Sequence, residues 1–321
     1  MKKIVKKLKI IIVVSFLLLM GACAAKPPIL LEDQNDVGLD DWVVVLLETL
    51  KSNEEIVDVL LSNANQDVEI TYNIVDKRFV EVKPSTNFEP ETAYLLEISL
   101  DNKQKYNLNI NTVSRYVQDL NEIKEDFFIM PVIDDYDHYE AELMKERILS
   151  ISPKILVSLY RAGVRMKLAN GPITDEPELD YLKGVTPRGW EATGMTWDDI
   201  PGAGGYDLPI ARIGYSDPSI DHNHGAVNLE LHELAHTVDN YITGSYQHSA
   251  ISQMDEFIDI WDLEKYEVLP EDYFTLYIEE YFAEVFAMYY ANEESHNDLQ
   301  AYAPLTYEFI SNLDYFVHLE D

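Results

Sequence analysis

The chain has 321 residues, with 58 acidic against 24 basic side chains and a formal charge of −34. That balance lacks the basic face that phosphate binding requires, so nucleic acid is not an expected partner. An apolar content of 47% is enough to bury a core and excludes a wholly disordered chain, and a single cysteine excludes an internal disulfide framework.

Five of the 24 basic residues, Lys2, Lys3, Lys6, Lys7 and Lys9, lie in the first nine positions. The apolar run from Ile10 to Ala25 is shorter than the roughly 20 residues of a spanning helix, and small residues close it. This is the pattern of a secretory signal. Leu19-Met20-Gly21-Ala22-Cys23 resembles a bacterial lipobox, with Met20 where Leu is commoner. The resemblance implies removal of residues 1–22 and lipidation of Cys23. The chain would then sit on the extracellular face of the cell membrane, touching it through the N-terminal lipid alone. An ordinary signal peptide followed by a buried cysteine is the alternative.

Residues 23–40, with Lys26-Pro27-Pro28 and an acidic stretch, read as a tether. Residues 41–115 have a β texture. Val68 to Tyr72 and Phe79 to Val82 alternate, Pro84 to Asn87 is a turn cluster, and Leu95 to Ile98 and Tyr106 to Ile110 close the run. Short strands at this spacing suggest a small all-β sandwich. Phe88-x-Pro90-x-Thr92-x-Tyr94 resembles bacterial Ig-like surface modules. A helix over Glu48 to Ser62 is the competing reading of that part. The module carries no evident chemistry, and a spacer role is expected.

From Val113 the pattern turns helical. Tyr139 to Ile151 and Pro153 to Ala162 carry apolar residues at three- and four-residue spacing, Pro153 suits a first turn and Gly163 a stop. Val164 to Leu168 alternates like an edge strand, and Asn170-Gly171 is a turn signal. Residues 185–225, rich in Gly, Pro and aromatics, show no period and read as a long functional loop. Residues 116–321 are thus expected to form a mainly helical α+β domain with a small sheet.

The chemistry lies in Leu231-His232-Glu233-Leu234-Ala235-His236. On a helix His232 and His236 share a face and can meet one ion, with Glu233 beside a metal-bound water. Two surface histidines on an amphipathic helix are the plain alternative. A catalytic zinc site needs a third ligand and an open position for water. Downstream, Glu280 and Glu284 lie four apart on an apolar stretch with Phe282, Val285, Phe286 and Met288. A carboxylate on a buried helix is costly unless paired or metal-bound, whereas an exposed Glu stripe needs no such partner.

Together these segments resemble the zinc-peptidase domain shared by anthrax lethal factor and the clostridial Pro-Pro endopeptidases. The family pattern is the His-Glu-x-x-His helix, then a Tyr seven residues before the third ligand in a Glu-x-Phe-Ala-Glu helix. His232, Glu233 and His236 match the first part; Tyr273, Glu280 and Glu284 match the second. The stretch from Thr186 through Arg188, Trp190 and Trp197 to Gly202, and Val227 to Glu230, resemble the Pro-Pro endopeptidase branch. The resemblance implies a zincin-like fold over about residues 120–320 and one catalytic Zn2+ held by His232, His236 and Glu280. The ion would acidify its water and polarise the scissile carbonyl. Glu233 would act as the base, Tyr273 would donate to the oxyanion, and Glu284 would orient a histidine from behind. Asp239 has either a similar supporting place or a plain helix-end and surface role.

Substrate is implied to be a protein or peptide, with proline-rich surface proteins as candidates, cut at or near Pro-Pro. A Pro-Pro segment adopts polyproline II and offers few donors, so aromatic surface must recognise it. Trp190 and Trp197 would line the cleft, and Arg188 would pair with Glu279 beside the zinc; loop anchors in the core are the alternative for both Trp. His222 and His224 read as solvated loop residues, with a contact to substrate or a second metal as the other reading. The acid pairs Asp134-Asp135 and Asp198-Asp199 lack the EF-hand pattern. A rival from another class is a non-catalytic zinc-binding surface lipoprotein or adhesin that retains the fold.

Overall fold

The computed structural model describes residues 29–30, 33–47, 54–75, 79–188, 190–247, 249–269 and 272–317. Residues 1–28, including the signal and Cys23, lie outside the described residues, as do Gly189, His248 and His318. The chain divides into two compact units that part between Gln118 and Asp119.

The first unit is built from strands β1 (Ile29–Leu30), β2 (Gln34–Val37), β3 (Val43–Leu46), β4 (Ile56–Asn63), β5 (Asp67–Val68), β6 (Ile70–Val75), β7 (Phe79–Pro84), β8 (Ala93–Leu100) and β9 (Lys105–Thr112). One sheet runs β1-β3-β7-β6 and the other β2-β9-β8-β4-β5. Side chains alternate in and out, as a half-buried strand requires. In β8 this sends Tyr94, Leu96, Ile98 and Leu100 inward. They share one core with Val43, Val45, Val80 and Val82 of the other sheet. Two expectations are corrected. The alternative helix over Glu48 to Ser62 is, in its described part, strand β4, because its pairing with β8 from Ile56↔Leu100 to Asn63↔Tyr94 satisfies the backbone across the sheet. The stretch read as a tether to residue 40 contains β1 and β2, and Val37 and Leu39 are buried in the module's core.

Helix α1 (Arg115–Ile123) crosses the division, and the second unit continues with β10 (Phe128–Ile129), α2 (His138–Leu149), α3 (Pro153–Arg161) and β11 (Met166–Ala169). Next come β12 (Gly202–Ala203), β13 (Ile210–Arg212) and α4 (Leu229–Tyr241). The chain ends in α5 (Asp255–Val268), α6 (Asp272–Leu276), α7 (Ile278–Ala291), α8 (Glu293–Tyr302) and α9 (Pro304–Ser311). Gly163 ends α3 at φ 92°, a conformation that costs glycine no steric penalty. The sheet order is β10-β11-β13-β12. The strand read as an edge, β11, is therefore interior: it pairs in parallel with β10 and β13 and all four residues are buried. The patternless stretch 185–225 contributes β12 and β13, antiparallel to each other. Its strands are too short to show a period of two. Helices α4 and α7 lie together in the main core, α7 burying every residue from Tyr281 to Met288.

Candidate active site

Helix α4 carries His232, Glu233 and His236 on a tightly held frame. Asn228 caps its start, accepting the Leu231 N–H at 3.1 Å. Asn228 also donates to Glu230 Oε1, which takes the Arg147 guanidinium at 2.5 Å. Along the helix, Thr237 Oγ1 donates to Tyr206 O at 2.8 Å and Asn240 Nδ2 to Gly205 O at 3.0 Å. Gly202 and Gly204 let this segment lie against the helix: a Cβ on Gly204 would stand 2.0 Å from the Glu233 carbonyl oxygen, and one on Gly202 2.6 Å from Glu233 Oε1. Neither glycine was singled out from sequence, although a Gly-rich stretch before a motif helix is a signal of close backbone approach.

His232 Nε2 lies 3.3 Å and His236 Nε2 3.4 Å from Glu280 Oε2. Among the described residues this is the group of His, Cys, Asp and Glu side chains that converges as a metal cradle. Zinc bonds of about 2.0–2.1 Å in a tetrahedron separate ligand atoms by about 3.3–3.4 Å, so the spacing fits. The donor chemistry fits as well. His232 faces Glu280 through Nε2 and Glu284 Oε2 through Nδ1, at 3.0 Å. A neutral imidazole has one N–H, so one of its nitrogens points a lone pair at a carboxylate unless a cation intervenes. Burial by itself lowers the His232 pKa, but Glu280 and Glu284 outweigh it and push it up to about 10. Burial would raise Glu280, yet His232 and His236 hold it far below the usual carboxylate range. A proton or a divalent cation satisfies the same field.

Glu233 is 9% exposed, and burial raises its pKa against the pull of His232 and His236. Tyr273 donates its hydroxyl to Glu280 Oε1 at 3.0 Å. Burial and then the Glu280 charge raise its pKa well above the phenolic range, so the hydroxyl keeps its proton. Trp190 meets the Tyr273 ring edge-on, with centroids 6.5 Å apart. Arg188 pairs with Glu279 and lies over the Tyr277 ring at 4.8 Å, which pins Arg188 to the start of α7.

These groups line an open cleft of about 1210 Å³ that also includes Trp197. Trp197 is half-buried and packs against Ala169, Ile173 and Ile210, so it anchors the loop as well as facing the cleft. Asp198 fastens the same loop by accepting from Thr174 Oγ1 and the Gly184 N–H, both at 2.7 Å. Asp239 has no surface role. It is 2% exposed and accepts the Ser252 N–H at 2.6 Å and the Ser252 hydroxyl at 2.7 Å. His224 is not simply solvated: it is half-buried, its ring nitrogens withdrawn from solvent, and it lines the cleft. The His222 side chain lies outside the described residues.

Residues 113–313 match the family described as anthrax toxin lethal factor, N- and C-terminal domain. The chain belongs to the family of lethal factor and the Pro-Pro endopeptidases. Within this family it is 45% identical over 182 residues to the Pro-Pro endopeptidase of Paenibacillus alvei (strain ATCC 6344), spanning 56% of this chain and 79% of that protein. It is 42% identical over 179 residues to the Pro-Pro endopeptidase of Clostridioides difficile (strain 630), spanning 56% and 78%. The solved structure of the Paenibacillus alvei enzyme is 43% identical, with a TM-score of 0.54 over 60% of this chain and 99% of that one. This member of the family is a peptidase with a mixed α and β fold and a His-His-Glu metal cradle.

Proposed function

We propose that the chain is a zinc endopeptidase that hydrolyses peptide bonds at or near Pro-Pro in extracellular proteins. The observation that carries this reading is the convergence of His232, His236 and Glu280 at zinc-ligand spacing, with Glu233 and Tyr273 beside it and Trp190 on the cleft wall. The names of the two relatives support the Pro-Pro specificity. The fold of residues 116–321 is then zincin-like, with an Ig-like spacer before it. The chain is held at the cell surface through Cys23.

A zinc ion bound by His232, His236 and Glu280 would supply an acidified water and a Lewis acid for the scissile carbonyl. The protein's own groups do the rest. Burial suits Glu233 to take a proton and return it to the leaving nitrogen. The protonated Tyr273 hydroxyl is a donor for the carbonyl oxygen as charge develops there. Glu284 holds the His232 ring from behind. Trp190 offers a flat apolar face, and a proline pair that lacks N–H donors is recognised by such contact rather than by hydrogen bonds.

Purified protein on a peptide library with fixed Pro-Pro centres tests the reading. Cleavage at the fixed centre, lost with a zinc chelator, is expected. Cleavage confined to other bonds would remove the specificity and leave the peptidase.

A further inference from the structure

We propose that the Pro27–Pro28 bond of this chain is itself a substrate, cut by a second copy of the enzyme, which frees the catalytic chain from everything ahead of Pro28. The inference rests on the Pro-Pro specificity proposed above. Of the 14 prolines, only Pro27 and Pro28 are adjacent, so a Pro-Pro peptidase meets one such bond in its own sequence.

The surroundings of that bond favour entry into the cleft. No acidic residue occurs among the first 31 positions, while all 58 acids come later, and Lys26 directly precedes the pair. The cleft is lined by Glu233, Glu279 and Glu280. A segment without acids and with one lysine avoids the repulsion that most other stretches of this chain would meet there. The sequence after the bond, Ile29-Leu30-Leu31, is apolar. Tyr206, Ile220 and Tyr246 stand exposed along the cleft, at 67%, 97% and 58%, and offer apolar surface to an extended chain.

Directly after the bond comes β1, only Ile29–Leu30, at the edge of its sheet and paired with β3 alone through Ile29↔Val45 and Leu30↔Leu46. A two-residue edge strand makes few ladder hydrogen bonds. It can peel away without breaking the pairing of β3 with β7. Two chains anchored to one membrane meet at a raised effective concentration, so cleavage between copies needs no particular arrangement of the units within one chain.

The step balances with water alone. Water adds to the Pro27 carbonyl carbon and the Pro27–Pro28 C–N bond breaks. Pro27 leaves as a carboxylate, and Pro28 becomes a secondary amine that takes the proton. The product runs from Pro28 to Asp321 and leaves Cys23 to Pro27 with the anchor.

The test uses the full-length Glu233→Gln chain as substrate and a small proportion of wild-type chain as catalyst, with a separate Pro-Pro peptide in a parallel reaction. We expect conversion of the Glu233→Gln chain to a product whose first residue is Pro28. Conversion should be lost when Pro27 and Pro28 of the substrate chain are replaced by Ala. Wild type that cuts the peptide but leaves the Glu233→Gln chain intact overturns the self-processing inference while the proposed function stands. Wild type that cuts neither overturns both.

Discussion

Glu284 Oε2 lies 3.0 Å from His232 Nδ1, and Glu284 Oε1 takes the Val227 N–H at 2.8 Å. One buried carboxylate on α7 thus holds the imidazole of α4 and the chain that leads into that helix. Removing it frees the ring and leaves Val227 without its partner. Glu284→Ala is expected to weaken zinc affinity about 10- to 100-fold, read by competition with a chromogenic chelator. Unchanged affinity would show that the ring is held by other means.

Glu233 contacts no ligand atom of the cradle through a hydrogen bond, yet it sits buried beside both histidines. Glu233→Ala is expected to lower kcat by at least about 100- to 10,000-fold while bound zinc, measured by atomic absorption, stays at one per chain. Retained turnover would refute the assignment of Glu233 as base. Wild-type protein that binds zinc and cuts no peptide would favour the non-catalytic rival.

Tyr273 keeps its proton because burial and the Glu280 charge both oppose its loss. Tyr273→Phe keeps the ring against Trp190 and deletes the donor. The expected result is a fall in kcat of about 100- to 1,000-fold with little change in KM, from steady-state kinetics on a Pro-Pro peptide. A rise in KM alone would assign the residue to substrate binding.

Gly202 and Gly204 approach the same glutamate and should fail differently. A Cβ at 204 meets the Glu233 carbonyl oxygen, which is helix backbone and cannot yield. Gly204→Ala is expected to destabilise the fold by about 1–3 kcal/mol or more, read as a lower urea midpoint. A Cβ at 202 meets Glu233 Oε1, the movable end of a side chain. Gly202→Ala should lower kcat with a smaller loss of stability. Equal effects on both measurements would contradict this division.

Burial raises the Asp239 pKa from 3.8 to about 6, against the lowering effect of the Ser252 hydrogen bonds. Its folded pKa therefore exceeds its unfolded one, and the folded state binds the proton more tightly. The associated stability is fully present below about pH 4 and is lost as pH rises through about 6. The total is on the order of 3 kcal/mol. Asp239→Asn should flatten that part of the urea-midpoint profile between pH 4 and 7. An unchanged profile would show that Asp239 is not its source.

The cradle was legible in the sequence because its spacing is local. Four residues along a helix place His232 above His236, and Glu280 above Glu284, whatever surrounds them. The alternation of Phe79 to Val82 and the start and stop of α3 at Pro153 and Gly163 are equally local. That helix α4 would meet α7 was implied only by the family resemblance, since nothing in either segment encodes the 3.0 Å contact between His232 and Glu284. The tertiary structure alone decided the rest. It put β11 inside its sheet, drew β12 and β13 out of a patternless loop, and buried Asp239 against Ser252. It also brought Gly204 against the Glu233 carbonyl. Burial and close approach depend on which distant segments pack together, and two- or three-residue strands carry too short a pattern to announce their neighbours.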